Sequence, residues 1–510
     1  MKRIAFIILL ALGSLASAQS LYQGVYSPLP SNPNGPDAEY QLIRRHYTAS
    51  DTDSYLNVRK EITILRNRAL TGYADKGESF ILWNPSTQEL KINECYTIQR
   101  DGKRVEMNPM GFVEQLPSEC TDCGPYNAIR EMAIVHCGME YGCTIVLDYT
   151  IHTLHHNIVE DHLIINQDCP VKRYELMVDV PQGQQERLEC YSSKEGYTSG
   201  THSISLAWNN VSPTYQDAYL PDADDLYESV WFSNAREGEH LVSEFDSVAD
   251  AQLLLDTYLD DNNLRYATKL RDYVVDHIAY KPLHPAMLDY RYMLPNDTWH
   301  HNCGTSIDKA VLLAALLQQA GFQPVVQPGF RTAHNVTVAD PSLTVVRLTI
   351  DSVEYALSPL HKGTLTPYGA AVDEVDTIIV SRAITEPTLQ PYAGRYCRIA
   401  LPDEKGLSLN PSLLTPSRTA PLKVRPVVEQ YSYTITLPDG IVLAAKPVHI
   451  SKSRKGLGQM EISISQEGNT LHVSRQLLLP NIYTISNPKD YKAFREWMIL
   501  WNQYKEIIVK

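Results

Sequence analysis

Between Gly304 and Phe322 the chain reads GTSIDKAVLLAALLQQAGF, a helix-opening turn followed by a nearly unbroken apolar run. Thr305 and Asp308 have the spacing of a capping box, in which each side chain satisfies a backbone donor, so the helix is predicted to begin at Ser306. From Ile307 to Ala320 apolar positions cover almost the whole circumference, with Lys309, Gln318 and Gln319 as the main exceptions. Such a helix has to be buried on most sides. Gly321 supplies its C-terminal stop.

The block resembles the nucleophile helix of transglutaminase-like proteins, where Gly-Asp-Cys-x-Asp-Lys-Ala opens a Leu-rich helix that ends at Gly. In that family the cysteine sits at the helix N-terminus because the dipole and the unpaired N–H groups stabilise a thiolate. Here the position is Ser306. A hydroxyl is too weak an acid to ionise that way and needs a positioned base. The family triad continues with a histidine on one strand and an aspartate at the end of the next. The matching stretch is LTVVRLTIDSVEYALSP, which aligns with Leu343 at the histidine position and Ser358 at the aspartate position. LTVVRLTI and VEYALS also read as a hairpin about a two-residue turn at Asp351-Ser352. That register places Leu343 diagonally from Ser358 on one face, about 7–8 Å away. All three triad positions are thus substituted, and no catalytic residue is expected among Ser306, Leu343 and Ser358.

A relocated nucleophile is the competing reading. Cys303 lies three residues before Ser306 with His300 and His301 beside it, while His334 and Asp340 offer a base and an orienter. Catalytic hydrogen bonding would need their heavy atoms about 2.6–3.2 Å apart. The plainer reading makes Cys303 a buried side chain or a disulfide partner. A retained cleft, by contrast, would be expected around Trp299, Ser306 and Tyr355.

The 510 residues carry a formal charge of −14, which argues against nucleic acid and anionic membranes as partners. Met1-Lys2-Arg3 followed by IAFIILLALGSLASAQ reads as a secretory signal with a cleavage site at Ala16-Ser17-Ala18. The apolar run is too short for a transmembrane span, and the expected location is periplasmic or extracellular. Seven of the nine cysteines fall between Cys95 and Cys190, as suits an oxidising compartment. Cys137 and Cys143 flank GMEYG, a loop between two strand-like segments, and are the best single disulfide pair. Cys120 and Cys123 form one CxxC, which lacks the second pair a zinc site wants. In IHTLHHNIVEDH, strand alternation puts His152 and His156 on one face and His155 on the other, so no metal is expected there. No cofactor is expected.

The predicted fold is α+β and multidomain. A signal peptide (1–18) and a Pro/Asn-rich arm (19–39) lead into an antiparallel β-sandwich-like domain (40–245). A papain-like, transglutaminase-like α+β core (246–370) follows, and a β-rich module with a terminal helix (371–510) closes the chain. QRDGKRVEMNP, AIREMAIVHCGMEYGCTIVLDYTI and DCPVKRYELMVDVP resemble the β-rich domain of unknown function that precedes transglutaminase-like domains in many exported bacterial proteins. In the core, AQLLLDTYLDDNNLRYATKLRDYVVDHIAY has helical spacing, and KPLHPAMLDYRYMLPNDTWHHN reads as a long connection. In the last helix Tyr491, Phe494, Trp497 and Met498 should point inward. The resemblance implies a pseudoenzyme, that is, a binding or scaffolding module for a peptide, protein or glycan at the cell envelope. The alternatives are an active amidase, peptidase or acyl-transferase built on Cys303, and an envelope component with a filled cleft.

Overall fold

The structure, a computed structural model, describes residues 35–70, 76–181, 188–235, 241–363, 365, 367–368, 376–402, 406–407 and 411–510. The predicted signal segment and most of the arm lie outside these residues. The chain is β-rich and divides into two compact units. One joins the residues up to Thr214 with Tyr227–Gly369, and the other joins Tyr215–Leu226 with Ala370–Lys510. The regions read as a first β domain and a core therefore share one unit, and residues 215–226 belong with the C-terminal module.

In the first unit a seven-stranded sheet runs in the order 203–211, 171–179, 38–49, 54–64, 144–153, 88–98, 104–106. All neighbours are antiparallel except Ala38–Ala49 against Val171–Asp179, which are parallel. Alternation gives this sheet an apolar face. Ile43, Tyr174, Leu176 and Trp208 from it pack with Leu163, Val230 and Phe232 of a four-stranded sheet. Further along, Cys95 and Leu147 pack with Ile81 and Ile134 of a three-stranded sheet. One long sheet thus buries two separate patches under two smaller ones.

The helical part of the same unit surrounds the helix Ser306–Gln319. Its capping box forms as the sequence requires, and eleven of its residues are buried. Among them is Lys309, which the apolar count had set aside as an exception. The helix packs in one core with Asn263–His277 and with the three-stranded sheet 324–327, 345–350, 353–357. The hairpin turn lies at Asp351-Ser352 as predicted, both with positive φ (50° and 66°), the signature of a type I′ turn.

Two readings of this region are corrected. The single helical stretch 249–279 is two helices, Gln252–Tyr258 and Asn263–His277, separated where Asn262 caps the second by accepting from the Arg265 N–H at 2.8 Å. The presumed long connection contains a helix, Pro295–His301, opened by a proline whose missing N–H costs nothing at a first turn.

In the second unit a five-stranded sheet (376–384, 427–436, 470–479, 458–467, 448–454) is accompanied by smaller sheets and by the helix Pro488–Gln503. Tyr491, Phe494, Trp497, Met498 and Trp501 form its buried stripe. Arg475, 1 % exposed, lies over the Trp501 ring at 4.2 Å and donates to the Trp501 carbonyl at 2.6 Å.

Candidate functional site

The start of the buried helix is held by a carboxylate. Asp308, 1 % exposed, accepts through Oδ2 from the Thr305 N–H (2.7 Å), the Thr305 hydroxyl (2.6 Å) and the Tyr126 hydroxyl, and through Oδ1 from the Met293 N–H (2.6 Å). Four donors make a buried carboxylate tolerable where one would not. Burial, and then the Asp308 charge, push the Tyr126 phenol well above its ordinary pKa, so it stays a donor. One residue on, Lys309 donates to the Ile278 carbonyl at 2.6 Å, and burial pushes its ammonium down to about 8.

Ser306 is 1 % exposed, and its hydroxyl meets the Thr344 hydroxyl at 3.2 Å. Thr344 also accepts from the Gly329 N–H at 3.2 Å. Only a glycine permits this approach, because a Cβ on Gly329 would sit 2.1 Å from the Asp340 carbonyl oxygen and 2.5 Å from the Thr344 nitrogen.

Thr344, not Leu343, is therefore the residue that faces Ser306. Leu343 ends the 3-10 turn Pro341–Leu343 and is 45 % exposed. The reason is the two-residue period of the strand that follows: Val346, Leu348 and Ile350 point inward, and that parity runs back to Thr344. Ser358 lies beyond the strand Val353–Leu357, and its hydroxyl accepts from the Leu360 and His361 N–H groups at 3.2 Å each, closing its own turn.

A cavity of about 240 Å³ lies at this helix end, with Thr305, Ser306, Ile307 and Thr344 on its inner side and Tyr290, Tyr292 and Phe330 among its outer residues. Tyr292 and Phe330 are 42 % and 39 % exposed, so the cavity reaches the surface. Its lining is mainly apolar. Among the described residues that line it, no histidine, carboxylate, lysine or cysteine occurs, and Arg291 is the single charged one. The Ser306 and Ile307 N–H groups, in the helix's first turn, have no partner within it and give that end a partial positive charge.

Trp299 and Tyr355 do not line this cavity. Both pack against the core of the buried helix, Trp299 beside Tyr273 at 5.8 Å between ring centroids. Trp299 belongs to the separate helix Pro295–His301, and Tyr355 pairs with the buried Leu348. A second pocket of about 210 Å³ shares Ala339 and Pro341 with the first and adds Glu160, Asp161, His284 and Arg331. Tyr290 links the two, since its hydroxyl donates to Glu160 at 2.7 Å.

The relocated-nucleophile constellation does not assemble. Cys303 is bonded to Cys123, 180 residues away in sequence. His334 occupies the turn of the hairpin 330–339, stacked on Tyr191 at 3.7 Å between centroids. Asp340 pairs with Arg331 at 2.7 Å, and His301 Nδ1 bonds the Asp297 carbonyl at 2.7 Å. The expected Cys137–Cys143 disulfide is absent as well, and both residues are free thiols. Cys143 lies in a small core with Ile62, Ile64 and Ile145 and accepts from the Glu140 N–H at 3.4 Å, whereas Cys137 is half-buried and turned to the Val135 carbonyl. The histidine segment is also reassigned. The strand ends at Thr153 and His155 has positive φ (56°), so alternation does not extend to His155 and His156. His152 bonds Asp53 at 3.1 Å, His156 stacks on Tyr290 and His162 on Trp231.

Residues 50–215 match a domain of unknown function with a solved structure, DUF3857, and residues 398–509 match another, DUF3858. The chain carries both domains. No curated protein matches the sequence. In fold, the chain is similar to the crystal structure of a "putative protease" from Parabacteroides distasonis ATCC 8503, with a TM-score of 0.72 and 21 % identity over 93 % of this chain and 99 % of that one. An aminopeptidase A of Legionella pneumophila in complex with aspartic acid covers 49 % of this chain and 28 % of its own at a TM-score of 0.21 and 11 % identity. That likeness is too slight to argue from. The DUF3857 match holds the Tyr126 and Cys123 side of the site, while Ser306 and Thr344 lie outside both matched segments.

The sequence reading missed Thr344, the Tyr126–Asp308 bond, the Cys123–Cys303 bridge and the aromatic rim. Strand parity was an available signal for Thr344. Nothing in sequence spacing pairs Tyr126 with Asp308.

Proposed function

We propose that this chain is an exported, transglutaminase-like protein of the cell envelope that binds an extended peptide at the start of its buried helix and does not turn it over. One observation carries the reading: Ser306 has a threonine hydroxyl for a partner, inside a cavity lined, among the described residues, by no imidazole, carboxylate or thiol. A serine without a base is a poor nucleophile, and the Ser306 and Thr344 hydroxyls share a single hydrogen bond at 3.2 Å in which neither is a base. The fold likeness to a protein described as a "putative protease" supports a cleft inherited from amide chemistry. A cavity of this size is below the ~300–1,000 Å³ of drug-sized sites, which suits one or two side chains.

The cavity takes the apolar side chain, the first-turn N–H groups take a backbone carbonyl, and the chain of the ligand continues past Ala339 and Pro341 into the polar pocket. Export is supported by the disulfide, which persists in oxidising compartments. No helix among the described residues is long and apolar enough to cross a membrane.

The test is equilibrium binding of extended peptide libraries and of soluble glycan fragments to the full chain, with Tyr292→Ala and Phe330→Ala as comparisons. Loss of an exposed aromatic anchor should weaken peptide binding by roughly tenfold without altering the fold. Glycan binding that tolerates both substitutions, or peptide cleavage by the wild type, would refute the reading.

A further inference from the structure

The CxxC at Cys120–Cys123 does not line the cavity, yet it is buried beside a third cysteine. Cys120, Cys123 and Cys303 are all 0–1 % exposed and pack in one cluster with Tyr126, Leu283 and Met287. Cys123 is bonded to Cys303, and Cys120 is a free thiol. The Cys123 N–H donates to the Cys120 carbonyl at 3.3 Å, so residues 120–123 close a tight turn. The ends of such a turn lie within about 7 Å, which overlaps the ~4.4–6.8 Å range of Cα separations that a disulfide spans. The backbone of this turn thus sets Cys120 and Cys123 at a Cα separation compatible with a bond between them, beside the existing Cys123–Cys303 disulfide.

We propose that these three cysteines form an internal thiol–disulfide exchange site, in which Cys120 displaces Cys303 from Cys123. The Cys120 thiolate attacks Cys123 Sγ, the Cys120–Cys123 bond forms as the Cys123–Cys303 bond breaks, and the electron pair leaves on Cys303 Sγ. The proton lost by Cys120 is taken up by Cys303, so one thiol and one disulfide remain and no outside oxidant is consumed. Burial raises the Cys120 thiol, while Lys281, whose ammonium donates to the Thr121 carbonyl at 2.8 Å inside the turn, works in the opposite direction.

The two isomers differ in what they tie together. In one, the turn that carries Tyr126 is bonded to the strand Cys303–Gly304, next to the Thr305 cap and the cavity. In the other, the bond stays within residues 120–123, and the helix start is held by noncovalent contacts. Complete burial of all three sulfurs restricts access by a bulky external thiol.

The experiment uses the full chain in graded glutathione buffers, quenched in acid, alkylated with N-ethylmaleimide in denaturant and digested with trypsin without reduction. Cys120 and Cys123 fall in peptide 105–130 and Cys303 in peptide 292–309. The starting isomer gives these peptides cross-linked, with one maleimide on Cys120. Exchange predicts a second species, with an internal bond in 105–130 and the maleimide on Cys303, which is lost in Cys120→Ala. Wild-type protein in which Cys123 and Cys303 become labelled only together would overturn the proposal, as would a Cys120–Cys303 cross-link. The wild-type digest decides the matter even if the variant does not fold.

Discussion

At the scale of single residues, the site is organised by groups that a catalytic inventory would overlook. Asp308 is a buried acceptor for four donors, so Asp308→Asn, which keeps the volume but sets an amide against those donors, should cost about 2–4 kcal/mol. Chemical denaturation reads that loss directly. Lys309 gives a pH signature. Its ammonium is pushed down to about 8 from the 10.5 of an ordinary lysine, so between those values the unfolded chain binds a proton that the native one has released. Stability therefore rises with pH across this window, by up to about 3 kcal/mol from this one group. Lys309→Met removes the group, and the stability difference between wild type and variant should shift in favour of wild type from pH 8 to pH 10. A difference that stays flat would mean that Lys309 keeps its charge when folded. Gly329→Ala, with its Cβ forced against the 340–344 backbone, should cost about 1–3 kcal/mol.

At the scale of elements, legibility followed periodicity and failed where distance along the chain took over. The buried helix was readable because its capping box and its continuous apolar surface are local. The Asp351-Ser352 hairpin was readable for the same reason. The site itself was only partly so. The gap-free alignment to the family motif put Leu343 at the histidine position, whereas the residue that meets Ser306 is Thr344, on the inward parity of Val346, Leu348 and Ile350. The helix Pro295–His301 was hidden in a stretch rich in prolines and turn formers, although Pro295 itself fits a first helical turn. Cys137 and Cys143 suggested a pair because they flank a five-residue loop between two strand-like segments, but the bond that forms spans 180 residues. Such pairing is set by tertiary structure and cannot be read from spacing. Removing it with Cys303→Ser should destabilise the first unit by about 2–4 kcal/mol, measurable as a lowered denaturant midpoint.

At the scale of the whole molecule, two compact units carry separate hydrophobic cores. Unfolding should depart from a single two-state transition. Because the disulfide lies wholly within the first unit, a reductant should lower one calorimetric transition and leave the other in place. Ser306 decides whether the molecule is an enzyme. The most direct test is mass spectrometry of the 292–309 tryptic peptide after the native chain has been incubated with activated acyl esters and with a fluorophosphonate. A hydroxyl whose partner among the described residues is Thr344 predicts an unmodified Ser306 in that peptide, even at long times. An acyl or phosphonyl adduct on Ser306 would show that a base reaches it, and would contradict the non-catalytic reading.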